Sequence, residues 1–219
     1  MIKAIIFDMD GLMVDTEMIS CQCYKKLIES YGFSFHKEDY IKDFPGKPLI
    51  ASLYFIQEQY QIDFDIDEKI QEFHQLEKQY IEENGVQLKK GLMELLQYLK
   101  KNNYKTIIAT SSHKDRAEKI LNEHDIFQYF DDIVCGSEVK RGKPFPDIFL
   151  KACEKLNISV NEALVLEDSE AGIQAAYDAH IPVICIPDLK YPQDEYIEKL
   201  EHIYDSLDDV ILYLKEKTN

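Results

Sequence analysis

Residues 1–11 read MIKAIIFDMDG, a short apolar run that ends on two carboxylates. Ala4–Phe7 has the composition of a buried strand, whereas aspartate is a poor strand former and is costly to bury unless paired or bound to a metal. Because side chains alternate along an extended segment, Asp8 and Asp10 are expected to point the same way. Such a pair suits a hard cation such as Mg²⁺ with a nucleophile beside it. The alternative is a chance pairing in a chain with 41 acidic residues.

Length and charge limit the classes of function. The chain has 219 residues, 45% of them hydrophobic, and a formal charge of −16 at pH 7. This length fits one domain with an insertion, or two small domains. The negative charge disfavours nucleic acid and anionic membranes as partners. A small phosphorylated molecule can still bind where a lysine and a metal reverse the sign locally, although solubility is the preferred explanation of the acidity.

Cysteine content indicates a reducing compartment. The sequence contains Cys21, Cys23, Cys135, Cys153 and Cys185. Their number is odd and their spacing does not match a zinc site, so we expect reduced packing thiols in a cytoplasmic protein. We expect neither a signal peptide nor a membrane span, because the N-terminal run has no cleavage pattern and no apolar run is long enough. A monomer is the default expectation.

Four apolar, β-branched runs predict buried parallel strands. They are Ala4–Phe7, Thr106–Ala109, Ala163–Leu166 and Pro182–Ile186. They do not alternate cleanly between apolar and polar residues, as expected when helices cover both faces of a sheet. Helical periodicity separates or follows them at Leu92–Lys100, Asp115–Glu123, Asp147–Leu156 and Ala171–Ala179. This alternation predicts an α/β fold with a doubly wound parallel sheet.

Residues 16–88 interrupt this alternation. They are rich in Glu, Lys, Gln and Tyr, and apolar stripes at helical spacing begin at Tyr24, Ile50 and Ile66. We therefore predict an inserted small α-helical cap domain at 16–88 and an α/β core at 1–15 and 89–219. The insertion starts just after the aspartate pair, which is where a lid is expected, although a packing appendage is the alternative. A last helix is predicted around Val210–Leu214.

Polar residues follow the predicted strands. They are Asp8 and Asp10 after the first, Thr110 and Ser111 after the second in IIATSS, and Glu167 and Asp168 after the third in LVLEDS. Lys143 lies in the loop GKPFPD. Because open α/β sheets bind ligands at the carboxyl ends of their strands, these residues are predicted to form one site.

These residue types suit a phosphoryl group. Mg²⁺ between Asp8 and Asp168 would neutralise its charge. The Thr110 hydroxyl, the Ser111 amide and the Lys143 ammonium would hold the remaining oxygens. Taken singly, each residue has an ordinary explanation, namely a helix N-cap or, for Lys143, a solvated turn. Their joint occurrence favours the phosphate site.

Four motifs together resemble those of the haloacid dehalogenase-like hydrolase superfamily. They are DMDG at 8–11, ATSS at 109–112, GKPFPD at 142–147 and LEDSEAGIQAA at 166–176. The helical insertion resembles the cap of the subgroup that contains β-phosphoglucomutase and small phosphatases such as phosphoglycolate phosphatase. The resemblance implies a Rossmann-like core and a Mg²⁺-dependent phosphatase for a small phosphorylated metabolite such as a sugar phosphate.

The resemblance also implies a role for each matching residue. Asp8 would be the nucleophile that forms an aspartyl-phosphate, and Asp10 the general acid and then the general base. Mg²⁺ would be bound by Asp8, the backbone carbonyl of Asp10, and Asp168, with Glu167 binding directly or through water. The phosphate would be held by Thr110, the Ser111 amide and Lys143.

Two alternatives to a phosphatase remain open. A β-phosphoglucomutase would be expected to carry a His on the first cap helix, where this chain has Ser20. It would also carry an Arg in the second cap loop, where residues 44–49 read FPGKPL. Lys47 is a candidate substrate contact but lacks the bidentate fork that grips a second phosphate. A mutase is therefore less favoured, and a catalytically silent binding protein is less favoured still because all four motifs are intact.

Overall fold

The computed structural model describes residues 1–45 and 47–218. It divides into two compact units. The sheet unit contains residues up to Val14 together with those from Leu88 onward, and the helical unit is Asp15–Gln87. Gly46 of the FPGKPL loop lies outside the described residues.

The sheet unit is built on six parallel strands among the described residues. Their bounds are β1 Ala4–Phe7, β2 Lys105–Thr110, β3 Asp132–Cys135, β4 Ala163–Glu167, β5 Val183–Cys185 and β6 His202–Ile203. The spatial order is β3-β2-β1-β4-β5-β6, and all four residues of β1 are fully buried. Successive strands β2 and β3 are added on one side of β1, and β4, β5 and β6 on the other, so the strand order reverses at β1. Open α/β sheets bind ligands at such a switch point, so the topology places the aspartate pair there.

Helices account for most of the remaining chain. The helical unit contains α1 Glu17–Ser30, α2 Lys37–Asp43, α3 Leu49–Tyr60 and α4 Ile66–Asn84. The sheet unit contains α5 Leu92–Lys101, α6 Lys114–Glu123, α7 Asp147–Leu156, α8 Glu170–Asp178, α9 Asp194–Ile197 and α10 Val210–Thr218. The predicted α/β class with an inserted helical cap is confirmed. Each described helix is too short or too polar to cross a lipid bilayer.

The structure corrects the predicted strands in two ways. It adds β3 and β6, which sequence analysis missed because β3 is only four residues and begins with a charged Asp, while β6 is only two residues and begins with a His. Thr110 and Glu167 were predicted to follow strands, but each is the last residue of one. Parallel pairing extends to them, because Thr110 lies opposite Cys135 and Glu167 opposite Cys185.

An aromatic cluster forms the core of the helical unit. The ring of Tyr24 lies 4.6 Å from those of both Phe44 and Phe73, and the Tyr40 ring stacks on Phe44 at 5.7 Å. Tyr24, Tyr40, Phe44 and Phe73 are each no more than 5% exposed. The apolar stripes of residues 16–88 are thus explained by packing within this unit.

All five cysteines are buried and unpaired, as the sequence suggested. Burial raises the pKa of the Cys153 thiol to about 11. A thiol with such a pKa is protonated at neutral pH and is a poor nucleophile. The cysteines therefore act as packing residues.

Candidate active site

The loop after β1 is held tightly against the acidic motif that follows β4. The Asp8 N–H donates to the Leu166 carbonyl at 3.0 Å, so the pairing of β1 with β4 continues into the aspartate pair. Gly11 has a φ of +86°, and a Cβ at this position would lie 2.3 Å from Oδ2 of Asp168. Because a side chain at residue 11 would occupy the place of that carboxylate, glycine is required for the two motifs to meet.

Lys143 connects Asp8, after β1, with Glu167, at the end of β4. Its Nζ donates to Oδ1 of Asp8 and, at 2.5 Å, to Oε1 of Glu167. The Lys143 side chain is 7% exposed, and its Nζ lies 5.1 Å from the centre of the Phe149 ring. The structure therefore places Lys143 inside the site, whereas a solvated turn residue was the alternative.

Glu167 is fixed on both sides of its carboxylate. It is fully buried, and Oε2 accepts hydrogen bonds from the backbone N–H groups of Asp168 and Ser169, each at 3.1 Å, and from the Ser169 hydroxyl at 3.0 Å. Oε1 accepts from Lys143. The Ser169 hydroxyl in turn caps α8 by accepting from the Gly172 N–H at 3.1 Å. Glu167 thus anchors Lys143 and the start of α8.

We expect Gly172→Ala to destabilise the protein by about 1–3 kcal/mol, as overpacking of a well-packed site does. A Cβ at Gly172 would lie 1.8 Å from Oε1 of Glu167, whose carboxylate has no freedom to move. The gain in helix propensity, about 1 kcal/mol, is smaller than that strain. Chemical denaturation of the variant and the wild type measures the difference in their free energies of unfolding. Gly142→Ala is the control, because a Cβ there has no neighbour within 4 Å; equal stability of the two variants would refute the packing argument.

Asp8, Glu167 and Asp168 form an acidic cluster with more negative charge than its lysine can balance. Each offers an oxygen, and these atoms lie within 4.8 Å of one another. Burial raises the pKa of Asp8 to about 7, against the attraction of Lys143, and the Glu167 charge adds to the rise. Burial also raises the pKa of Asp168. Three carboxyl oxygens beside one ammonium, two of them on the buried residues Asp8 and Glu167, are a donor set that fits a divalent cation such as Mg²⁺.

Lys143 keeps its proton in this cluster. Burial by itself lowers the pKa of Lys143, but the attraction of Asp8 and Glu167 outweighs it, so the pKa is raised. An ammonium that cannot deprotonate supplies a fixed positive charge. Such a charge suits the stabilisation of anionic oxygen atoms rather than proton transfer.

Asp10 belongs to a second group of polar residues. Its carboxylate accepts hydrogen bonds from the hydroxyls of Ser112 at 2.7 Å and Thr110 at 3.4 Å, and from the Arg116 guanidinium at 2.7 Å. The Thr110 hydroxyl also accepts from the Ser112 N–H at 3.0 Å, and Thr110 is fully buried. Ser111 is exposed. The structure therefore brings Thr110 to Asp10.

Sequence analysis missed Ser112 and Arg116 as site residues. A signal was present, because the chain has only two arginines and Arg116 follows Ser112 by four residues. A residue near the start of the helix after β2 faces the same sheet edge as the motif that precedes it. Arg116 lies within α6, beyond the motif ATSS that the sequence analysis considered after β2.

Lys47 lies in the helical unit, beside a cavity of about 180 Å³. Its Nζ is 4.6 Å from the centre of the Phe55 ring. The lining includes Glu17, Ser20 and Glu77, and Glu17 accepts a hydrogen bond from the Tyr40 hydroxyl at 2.6 Å. The cavity therefore combines carboxylates, hydroxyls and one ammonium with aromatic rings.

Comparisons with known proteins show which family the chain is similar to. The model of a family described as haloacid dehalogenase-like hydrolase matches residues 5–186. A phosphorylated carbohydrates phosphatase from Thermotoga maritima is 34% identical over 179 residues, which cover 82% of each chain. A validoxylamine A 7'-phosphate phosphatase from Streptomyces hygroscopicus is 28% identical over 181 residues, 83% of this chain and 84% of that protein.

Solved structures of the same family are also similar. The crystal structure of β-phosphoglucomutase from Clostridium difficile is 28% identical, covers 99% of this chain and 97% of its own, and superposes with a TM-score of 0.76. The family match includes the whole helical insertion and the sheet unit as far as residue 186. From its motifs, fold and relatives, this chain belongs to the haloacid dehalogenase-like hydrolase family and is a phosphoric monoester hydrolase.

Proposed function

We propose that the protein hydrolyses a small phosphorylated metabolite through an aspartyl-phosphate on Asp8, with Mg²⁺ as cofactor. The observation that carries the proposal is the position of Asp8 at the end of the central strand. There its carboxylate is bound by Lys143 and lies in a cluster with Glu167 and Asp168. A carboxylate nucleophile needs such neutralisation to approach a phosphoryl group, which is itself anionic.

Two successive displacements at phosphorus account for the reaction. In the first, an Asp8 oxygen forms a bond to phosphorus while the bond to the alcohol oxygen breaks, and Asp10 gives that oxygen a proton. In the second, water attacks phosphorus, Asp10 takes a proton from it, and the bond to Asp8 breaks. Free phosphate leaves and both carboxyl groups return to their starting state.

The other predicted residues would hold the metal and the phosphate. Asp8, Asp168 and the backbone carbonyl of Asp10 would bind Mg²⁺, which when bound supplies charge neutralisation for the phosphoryl transfer. The hydrogen bonds at both oxygens of Glu167 favour its acting through water rather than directly. The phosphate would be held by Thr110, the Ser111 amide and Lys143.

Removal of divalent cations is expected to abolish hydrolysis, by at least about 100-fold, and added Mg²⁺ to restore it. Mg²⁺ should also raise the melting temperature of the metal-free protein, because a cation that binds the folded state alone stabilises it. Phosphate release and thermal unfolding with and without EDTA measure the two effects. Full activity in EDTA, after dialysis against a chelating resin, would remove the metal from the proposal.

The helical unit is proposed to select the alcohol part of the substrate. Two relatives are named for phosphorylated carbohydrates and for validoxylamine A 7'-phosphate. The cavity beside Lys47 offers the donors and acceptors that a polyol requires. We therefore propose a sugar phosphate or a similar polyol phosphate as substrate, with Lys47 as a contact.

A screen of phosphorylated metabolites with Mg²⁺ tests the function. We expect phosphate release from one small ester, and Lys47→Gln should raise its KM with little change in kcat if Lys47 binds the substrate. Lys25→Gln, an exposed change on α1, is the control. Absence of phosphate release from every ester tested, including p-nitrophenyl phosphate, would favour a silent binding protein.

A phosphosugar mutase is the second candidate, because a β-phosphoglucomutase shares the fold over nearly the whole chain. Ser20 and Lys47 stand where the resemblance implies a His and an Arg. We expect no efficient conversion of β-glucose 1-phosphate to glucose 6-phosphate in the presence of glucose 1,6-bisphosphate. Efficient conversion would show that Ser20 and Lys47 are tolerated replacements and would favour the mutase.

A further inference from the structure

The carboxylate of Asp10 is bound at one oxygen by Ser112, in the segment between β2 and α6, and at the other by Arg116, in the first turn of α6. Oδ1 accepts a hydrogen bond from Arg116 Nη1 at 2.7 Å, and Oδ2 accepts one from Ser112 Oγ at 2.7 Å. Arg116 Nη1 also donates to Ser112 Oγ at 2.6 Å. The three side chains therefore form a closed ring of contacts, in which a single guanidinium fixes both the carboxylate and the hydroxyl that binds it.

We propose that Arg116 is a positioning residue for Asp10. It fixes the plane of the carboxylate that exchanges a proton with the leaving alcohol and with water. A carboxylate bound at one oxygen can still rotate, whereas partners on both oxygens define its plane. Misplacement of a reacting group by about 1 Å can cost 10²-fold in rate, so the orientation of Asp10 affects turnover directly. The inference rests on the acid–base role of Asp10 in the proposed function.

The local sequence supports a dedicated role for Arg116. A cation in the first turn of a helix opposes the helix dipole, so Arg116 is unfavourable there unless an anion compensates it. Asp10 supplies that anion. The only other arginine, Arg141, pairs with Asp147 and is 55% exposed, as is typical of a surface ion pair. The Arg116 and Asp10 side chains are only 30% and 31% exposed.

A double-mutant cycle tests the proposal. In the otherwise unchanged protein, Arg116→Gln should lower kcat by about 10- to 100-fold and leave KM within about threefold, because it disturbs orientation and not binding. Asp10→Asn alone should slow turnover by roughly two to four orders of magnitude. In that background Arg116→Gln should have less than about a twofold further effect, since two residues that act through one step are not additive.

Two further variants make the cycle specific. Lys119→Gln removes a cation from the same helix, at a side chain that is 46% exposed. It should leave kcat unchanged both in the wild-type and in the Asp10→Asn background. Arg116→Lys keeps the charge but loses the planar guanidinium whose Nη1 contacts both Asp10 and Ser112, so its kcat should fall between those of the wild type and Arg116→Gln. If Lys119→Gln lowered kcat as much as Arg116→Gln does, the proposal would be overturned, because any loss of positive charge on α6 would then be enough to lower kcat.

A crystal structure of Arg116→Gln gives a readout that does not depend on activity. We expect the Asp10 carboxylate to rotate or to occupy two orientations. An unmoved carboxylate, an unchanged kcat, or an equal loss in the Asp10→Asn background would each overturn the role of Arg116. Normal turnover by Asp10→Asn alone would instead refute the acid–base step of the proposed function, and the inference with it.

Discussion

Asp8→Asn is expected to abolish hydrolysis of phosphate esters, by at least about 10³-fold, while the protein still folds. An amide has nearly the same shape as the carboxylate and can still accept a hydrogen bond from Lys143, but it is not a nucleophile. The variant also removes one of the mutually repelling acidic groups of the cluster. Loss of activity should therefore occur without loss of structure, which separates the nucleophile from a residue that merely supports the fold.

The stability of the same variant as a function of pH provides a second readout. Burial raises the pKa of Asp8 from an unfolded value of 3.8 to about 7, so between these values the folded protein binds more protons than the unfolded chain. Stability of the metal-free protein should therefore fall as the pH rises from about 4 to 7, and Asp8→Asn should flatten this slope. Denaturant unfolding in EDTA across this range measures it. The exposed change Asp178→Asn is the control, and near wild-type hydrolysis by Asp8→Asn would disprove the nucleophile assignment.

The sequence was sufficient to predict the parts of the fold that have a strong local pattern. The apolar strands β1, β2 and β4 and the periodic helices α5–α8 were each expected close to where they occur. β3 and β6 were not, because they are short and begin with polar residues. Such strands form only because the sheet beside them supplies the pairing, and that support is absent from a local window of sequence.

The site was predictable to the same extent. Asp8 and Asp10 are predicted as site residues because they follow an apolar strand, and Lys143 because it lies in the motif GKPFPD. Contacts between particular side chains could not be predicted from the sequence. The hydrogen bond from Arg116 to Asp10, for example, joins residues 106 positions apart. The hydrogen bonds that the Glu167 carboxylate accepts from Ser169 also depend on the path of the chain into α8. Both follow from tertiary placement.

Lys143→Met should cost about 3–5 kcal/mol of folding stability at pH 8 in metal-free buffer, in addition to abolishing activity. Methionine keeps the length of the side chain but leaves the buried carboxylates of Asp8 and Glu167 without their cation. Removing one partner of a buried ion pair is far more costly than removing one of an exposed pair. Lys151→Met, also in the sheet unit, breaks a pair with Glu154 at 3.0 Å whose acid is 71% exposed, and should cost no more than about 1 kcal/mol.

The pH dependence of the Lys143→Met defect identifies its cause. The Lys143 charge opposes the rise in the pKa of Asp8, so without Lys143 that pKa rises further and the folded state of the variant takes up a proton at a higher pH than the wild type. The stability gap between variant and wild type should therefore narrow as the pH falls from 8 to 5, and added Mg²⁺ at pH 8 should narrow it as well. If the variant is already unfolded at pH 8, its free energy of unfolding is measured from pH 5 upward instead. A gap that is independent of both pH and Mg²⁺ would mean that Lys143 contributes packing rather than charge.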